Sequence, residues 1–219
     1  MRPRCNGRTL VINISPLEGA IADLQAAKTT PELIRATKSL CNLHTVDAIS
    51  ALIEVLGFNN PAVASVATAG LIELGSQAVP SLLVSLDEKN YGSRAWVVRA
   101  LASIRDPRSL DLLEHALATD IAPSVRRSAA RGLAELNLTY PEETSKLNRC
   151  LLALLAAIKD DEWVVRYSTI FGIEMHLLRY NSTNKDQCIL GLKQLSSNSE
   201  SIKVIRLRAT LALQRINAS

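Results

Sequence analysis

The strongest constraint on this chain is that it repeats itself. Aligning the segments that end in Leu-x-x-Leu or a close equivalent puts Leu40/Leu43, Leu71/Leu74, Leu101/Ile104, Leu133/Leu136, Ile173/His176 and Leu213/Ile216 in one column. The intervals are 31, 30, 32, 40 and 40 residues. A unit of that length cannot bury its apolar face alone, so neighbouring units must stack. Between the column segments run Ile49-Leu52-Ile53-Leu56, Val79-Leu82-Leu83-Leu86 and Leu151-Leu154-Leu155-Ile158, each with the i, i+3, i+4, i+7 spacing of one helix face. Turn and capping residues punctuate the pattern at Gly57 to Pro61, Gly75-Ser76, Asn90 to Gly92, Asp106-Pro107, Asp120 to Pro123 and Asp160-Asp161. Pro61, Pro107 and Pro123 suit first helical turns, where a missing N–H costs nothing.

The predicted fold is therefore all-α: a right-handed HEAT-like or armadillo-like α-solenoid of about five to six helical hairpins, first helices outside and second helices lining the concave surface. Residues 1–28 are expected to form an N-terminal extension and first helix, and residues 29–219 a single solenoid domain. Composition agrees, since 47% of residues are apolar but only 4% aromatic, and nine Gly with eight Pro are too few for the turns of an all-β sandwich. No apolar run approaches the roughly 20 residues of a membrane span. The short stretch Leu10 to Ile14 behind Arg2, Arg4 and Arg8 is too brief and polar for a secretory signal.

A net charge of +4 spread along the chain does not indicate nucleic acid. Cys5, Cys41, Cys150 and Cys188 lie far apart, fit neither a zinc site nor a disulfide framework, and are expected as reduced thiols in a cytosol-like compartment. His44, His115 and His176 pair with no other ligand at metal-binding spacing, and His176 reads as a buried or seam residue. No Gly-rich phosphate loop, nucleophile elbow or zinc-protease motif is present. Catalysis by a nucleophile and base is not encoded here alone, and neither a metal nor a tightly bound cofactor is expected.

The candidate site lies on the second helices. With Val125, Ala129, Gly132, Leu133 and Leu136 as the packing face, Pro123, Arg126 and Arg127 turn to a common flank, where other units carry Tyr91 and Arg94, Trp163, Arg166 and Tyr167, and Arg206. Half of the eight aromatic residues (Tyr91, Trp96, Trp163 and Tyr167) gather at two of these helix starts. Exposed Tyr, Trp and Arg anchor ligands by stacking and bidentate carboxylate contacts. Two structural alternatives stand beside this reading: the arginines can form a ladder between units with upstream acids such as Asp120 and Asp161, and Trp96 can fill a seam.

Several strings carry a resemblance. Leu56-Gly-Phe-Asn-Asn-Pro61, Gly70 to Gly75, Ala78 to Leu83, Asn90-Tyr-Gly-Ser-Arg-Ala-Trp96, Ile104 to Arg108, Ser124 to Ala130 and Asp161 to Tyr167 resemble the F-type subunit of heterodimeric phycobilin lyases over roughly residues 30 to 215. The resemblance implies a HEAT-repeat subunit that pairs with an E-type partner and attaches an open-chain tetrapyrrole, usually phycocyanobilin, by a thioether to a cysteine of an apo-phycobiliprotein α subunit. It implies phycocyanobilin as substrate, no nucleic acid, no membrane span, and the cyanobacterial cytosol or plastid stroma as location. A lyase-isomerase branch carries Asn-His-Cys-Gln-Gly-Asn near the turn that here reads Asn59-Asn-Pro-Ala-Val-Ala64, so plain lyase activity is favoured.

On this reading Arg94, Arg126 and Arg166, with Arg127 second, hold the propionates; Tyr91, Trp96, Trp163 and Tyr167 wall the rings. Asp161 is the carboxylate beside the pyrrole nitrogens, and Phe58, Asn59 and Asn60 are partner or loop contacts. The alternative is a HEAT-repeat scaffold that chaperones a phycobiliprotein without catalysis of its own. A nucleic-acid protein using Arg126, Arg127 and Arg166 on phosphates ranks below both.

Overall fold

The computed structural model describes residues 15–86, 91–180, 182 and 184–218. Those residues form twelve α-helices and no strand. They pair as α1 (Pro16–Ala26) with α2 (Thr30–Asn42), α3 (Ile49–Leu56) with α4 (Pro61–Leu74), and α5 (Val79–Val84) with α6 (Tyr91–Ile104). Then come α7 (Leu110–Thr119) with α8 (Pro123–Glu135), α9 (Thr144–Ala156) with α10 (Trp163–Arg179), and α11 (Lys185–Ser196) with α12 (Lys203–Ala218). The count is six hairpins, the upper end of the range read from the repeat. The starts follow local chemistry. Pro61 and Pro123 open α4 and α8, Ser15 with Glu18 and Thr29 with Glu32 make reciprocal capping boxes, and the Asn60 side chain accepts the Val63 N–H.

Each even-numbered helix packs along the next, from α2 to α12, while the odd-numbered helices touch one another more sparingly. The even layer is thus the tighter, inner one, as expected for second helices. A column of small buried residues, Gly70, Ala100, Gly132, Gly172 and Ala212, lets it close. A methyl added at Gly132 would stand 2.8 Å from the Ala102 Cβ, and one at Gly172 would stand 2.8 Å from the Leu154 Cδ1. Both distances are well inside van der Waals contact, so neither position has room for a larger residue without movement of its neighbours.

Two apolar cores run through the array. One extends from Ala20 to Leu101 and the other from Val98 to Ile216, and partly buried Leu86 and Leu112 touch both. Helix α1 supplies Ala20 and Leu24 to the first core. Residues 1–14, with Cys5, lie outside the described residues.

His176 takes the place that Leu or Ile holds in the other units. It is buried, edge-on to the Tyr180 ring at 5.2 Å, with Tyr140 a further ring away at 5.9 Å from Tyr180. Burial pushes its pKa down to about 4 from the ordinary 6.5. A histidine depressed on folding contributes stability that is complete above the unfolded pKa and fades as the pH falls toward the folded one. His176→Leu is accordingly expected to flatten the loss of stability between pH 6.5 and 4, read as urea midpoints at the two ends of that window. An unchanged slope would refute the assignment.

Candidate functional site

The inner helices are tied by a periodic set of guanidinium contacts. Arg126 donates from Nε and Nη2 to the two carboxylate oxygens of Asp160 at 2.7 and 2.8 Å. Its Nη1 donates to the carbonyls of Asp120 and Ile121, in the turn before its own helix. One unit on, Arg166 repeats the arrangement: Nε and Nη2 reach Glu200, both at 3.0 Å, and Nη1 reaches the carbonyls of Asp160 and Asp161. Arg94 joins the Asp120 carboxylate at 2.6 Å, and Arg206 binds the carbonyls of Glu200 and Ser201. Each acid also accepts the N–H two residues on, from Ala122, Glu162 and Ile202 respectively. Burial alone raises the Asp160 and Glu200 carboxyls. The opposing hydrogen bonds, from Arg126 and the Glu162 N–H to Asp160 and from the Ile202 N–H and Arg166 to Glu200, leave both below the usual range.

Arg94, Arg126 and Arg166, expected at the site, are only 12–15% exposed and committed to this ladder. The ladder does not run as the upstream-acid alternative has it. The Asp120 carboxylate serves Arg94 rather than Arg126, and the Asp161 contribution is its carbonyl, because the carboxylate that meets each arginine belongs to the turn of the following unit. Asp161 keeps its own carboxylate exposed beside α10, without a partner among the described residues. Trp163 is 44% exposed as the first residue of α10, Arg127 is exposed on α8, and Tyr167 is half-buried on α10. Trp96 packs partly into the first core with the Arg99 guanidinium 5.4 Å from its ring centroid, as the seam alternative has it. The Tyr91 side chain lies outside the described residues. Phe58 packs against the first core, Asn59 is exposed, and Asn60 caps α4 while its amide donates to the Thr30 hydroxyl at 2.9 Å.

Two further columns of the same register reach the open inner face. Ala95, Arg127, Tyr167 and Leu207 are equivalent, and so are Arg99, Arg131, Phe171 and Leu211. Lying four residues apart on each helix, the two columns share one face. The Arg131 guanidinium stands 4.4 Å from the Phe171 ring centroid, and Arg208, salt-bridged to buried Glu174, stands 5.7 Å from that of Tyr167. Arg99, Arg105, Arg127 and Arg131 surround a cleft between α6 and α8, with Glu135 the one carboxylate lining it. The larger cleft at α1 and α2 mixes Asp23 and Glu32 with Lys28 and Arg35 and has no aromatic wall. Arg99, Arg131 and Phe171 were not singled out from the sequence, although the repeat alignment already places them in one column.

The arrangement can orient a flat anion, but it offers no nucleophile. Burial raises the Cys150 and Cys188 thiols to about 12 and 11, and burial again, with the Glu73 charge, raises Cys41. Thiols held that high carry almost no thiolate near neutral pH. Among the described residues no cluster of His, Cys, Asp and Glu has the makings of a metal site.

A family model for HEAT repeats matches residues 49–134. The chain is 86% identical over 207 residues to the bilin biosynthesis protein RpcF of Synechococcus sp., covering 94% of this chain and 99% of that protein. It is 45% identical over 151 residues to the phycocyanobilin lyase subunit beta of Nostoc sp., covering 68% and 76%. Among solved structures, a chain of the complex of CpcE and CpcF of phycocyanin lyase from Nostoc sp. superposes with a TM-score of 0.70 at 42% identity, over 77% of this chain and 99% of that one.

Removing a ladder arginine strands a mostly buried carboxylate. Arg126→Ala and Arg166→Ala are expected to cost about 2–4 kcal/mol each, seen as a lower thermal midpoint by circular dichroism, whereas Arg127→Ala stays within about 0.5 kcal/mol of the wild type. Equal effects at positions 126 and 127 would contradict the division between ladder and open face.

Proposed function

This chain belongs to the family of phycocyanobilin lyase subunits, and from that membership we propose that it is one subunit of a heterodimeric lyase, joined to an E-type partner. The lyase binds phycocyanobilin and attaches it by a thioether to a cysteine of a phycocyanin α subunit. The observation that carries the reading is the inner face itself, where a chain with few aromatics sets Tyr167 and Phe171 beside exposed arginines in aligned columns.

The reaction asks little covalent chemistry of this protein. The acceptor's thiol adds across the exocyclic double bond of ring A: sulfur bonds to the ethylidene carbon, the thiol proton ends on the adjacent ring carbon, and nothing leaves. The nucleophile comes from the acceptor, consistent with the raised thiols of Cys41, Cys150 and Cys188. What remains is orientation, worth several orders of magnitude when both reactants are held in register. Arginines of the inner face hold the propionates, Tyr167 and Trp163 wall the rings, and the Asp161 carboxylate stands as counter-charge to a protonated pyrrole nitrogen. Residues 59–64 carry neither His nor Cys, and Asn60 and Pro61 there cap and open α4, which supports attachment without isomerisation. No helix among the described residues is long and apolar enough to cross a membrane. The lyase acts where its acceptor assembles, in the cyanobacterial cytosol or plastid stroma.

Mixing the chain and its E-type partner with phycocyanobilin and an apo-α subunit is expected to yield a covalent adduct that survives acid urea. No adduct in any combination would overturn the lyase reading. Trp163→Ala, at an exposed position, is expected to weaken bilin binding by about 5- to 30-fold, the usual range for an aromatic contact residue, with the thermal midpoint unchanged.

A further inference from the structure

We propose that the two propionates of the bilin are clamped by the exposed column Arg99 and Arg131, with Arg127 beside them, and that Tyr167, Phe171, Leu207 and Leu211 form the shelf on which the conjugated rings lie. The proposal rests on the lyase reading above and places on the open face the anion site that the sequence alone assigns to Arg94, Arg126 and Arg166.

Donor geometry sets the choice. Arg126 and Arg166 each direct Nε and Nη2 to a carboxylate and Nη1 to two carbonyls, so a propionate could be gripped there by two hydrogen bonds only by releasing Asp160 or Glu200. That release would leave a buried acid uncompensated. Arg99 and Arg127, in contrast, meet no carboxylate among the described residues. Arg131 has only a long contact of 3.5 Å with Glu135, which Arg105 already holds more closely. Four guanidiniums against one carboxylate leave the cleft strongly positive, and its volume of about 310 Å³ lies at the small end of ligand pockets, suited to carboxylate arms rather than a whole tetrapyrrole.

The remainder of the pigment needs an apolar surface alongside. The step from Arg131 to Phe171 provides it, since that guanidinium lies over the ring and thereby marks where charge gives way to aromatic surface. Beyond Phe171 the same two columns continue as Leu207, 60% exposed, and Leu211 on α12, with Val204 exposed one turn earlier. Single exposed leucines are ordinary, but these stand in register with Tyr167 and Phe171 and extend one face. A basic cleft passing into an aromatic and aliphatic shelf complements a flat molecule with two carboxylates along one edge.

The test compares phycocyanobilin with its dimethyl ester, titrated by absorbance into the complex with the E-type partner. Wild type is expected to bind the free acid at least about tenfold more tightly than the ester, as charge-assisted contacts would give. The Arg99→Gln, Arg131→Gln double variant is expected to lose about tenfold in affinity for the acid, to leave ester binding unchanged, and to keep its thermal midpoint. Undiminished preference for the acid in the double variant overturns the clamp and leaves the lyase reading standing. Failure of the wild-type complex to bind either form overturns both.

Discussion

A guanidinium fixed in its own turn by two backbone carbonyls cannot slide along its helix, and when its remaining donors grip a carboxylate in the next unit, the distance between the units becomes fixed as well. Arg126 and Arg166 both do this, and Asp160 is held in turn by the N–H of Glu162. The inner layer depends on these contacts for its register. Apolar packing brings the helices together without direction, whereas the bidentate pairs select one rotation of each helix against its neighbour. That rotation decides which side chains meet solvent, and it turns Arg127 and Arg131 outward while burying Val125, Ala129 and Leu133.

The open face inherits its order from that constraint. Tyr167 and Phe171 are useful to a planar ligand only if both rings lie on one surface, and Arg131 flanks that surface from α8 as Arg208 does from α12. Buried Glu174 fixes Arg208 and is shared with Arg215, so the support beneath Tyr167 is itself ionic. A ligand-orienting surface of this kind needs rigid elements behind it, which the paired helices supply.

Much of this was legible in the sequence. The column Leu71, Leu101, Leu133 and Ile173 gives the repeat, and Asn60, Pro61 and Pro123 mark helix starts because their chemistry is local. The destination of Arg126 was not legible. Asp120 and Asp160 lie at comparable positions in consecutive turns, and linear spacing does not say whether a side chain folds back on its own turn or reaches across to the next, a matter settled by the packing distance of helices whose Gly132 and Gly172 set how close they come. The flank read from the sequence joins the open column of Arg127 and Tyr167 to the adjacent, buried one of Arg126 and Arg166, and omits the column of Arg131 and Phe171. On a helix one residue is about 100°, enough to exchange a structural arginine for a solvent-facing one.

The ladder does not run the length of the chain. The position equivalent to Arg94 in α4 is the buried Ala64, and the polar links between α2 and α4 are instead neutral ones, the Asn60 amide with the Thr30 hydroxyl and the Cys41 Sγ–H with the Val66 carbonyl. Among the described residues, ionic rungs therefore join the units from α6 onward, whereas α2 and α4 meet through apolar packing and these neutral contacts. The units that carry the aromatic shelf are thus cross-braced by directional contacts, whereas the first hairpins rest mainly on packing that has no preferred direction. Because the bracing pairs are mostly buried, added salt screens them little.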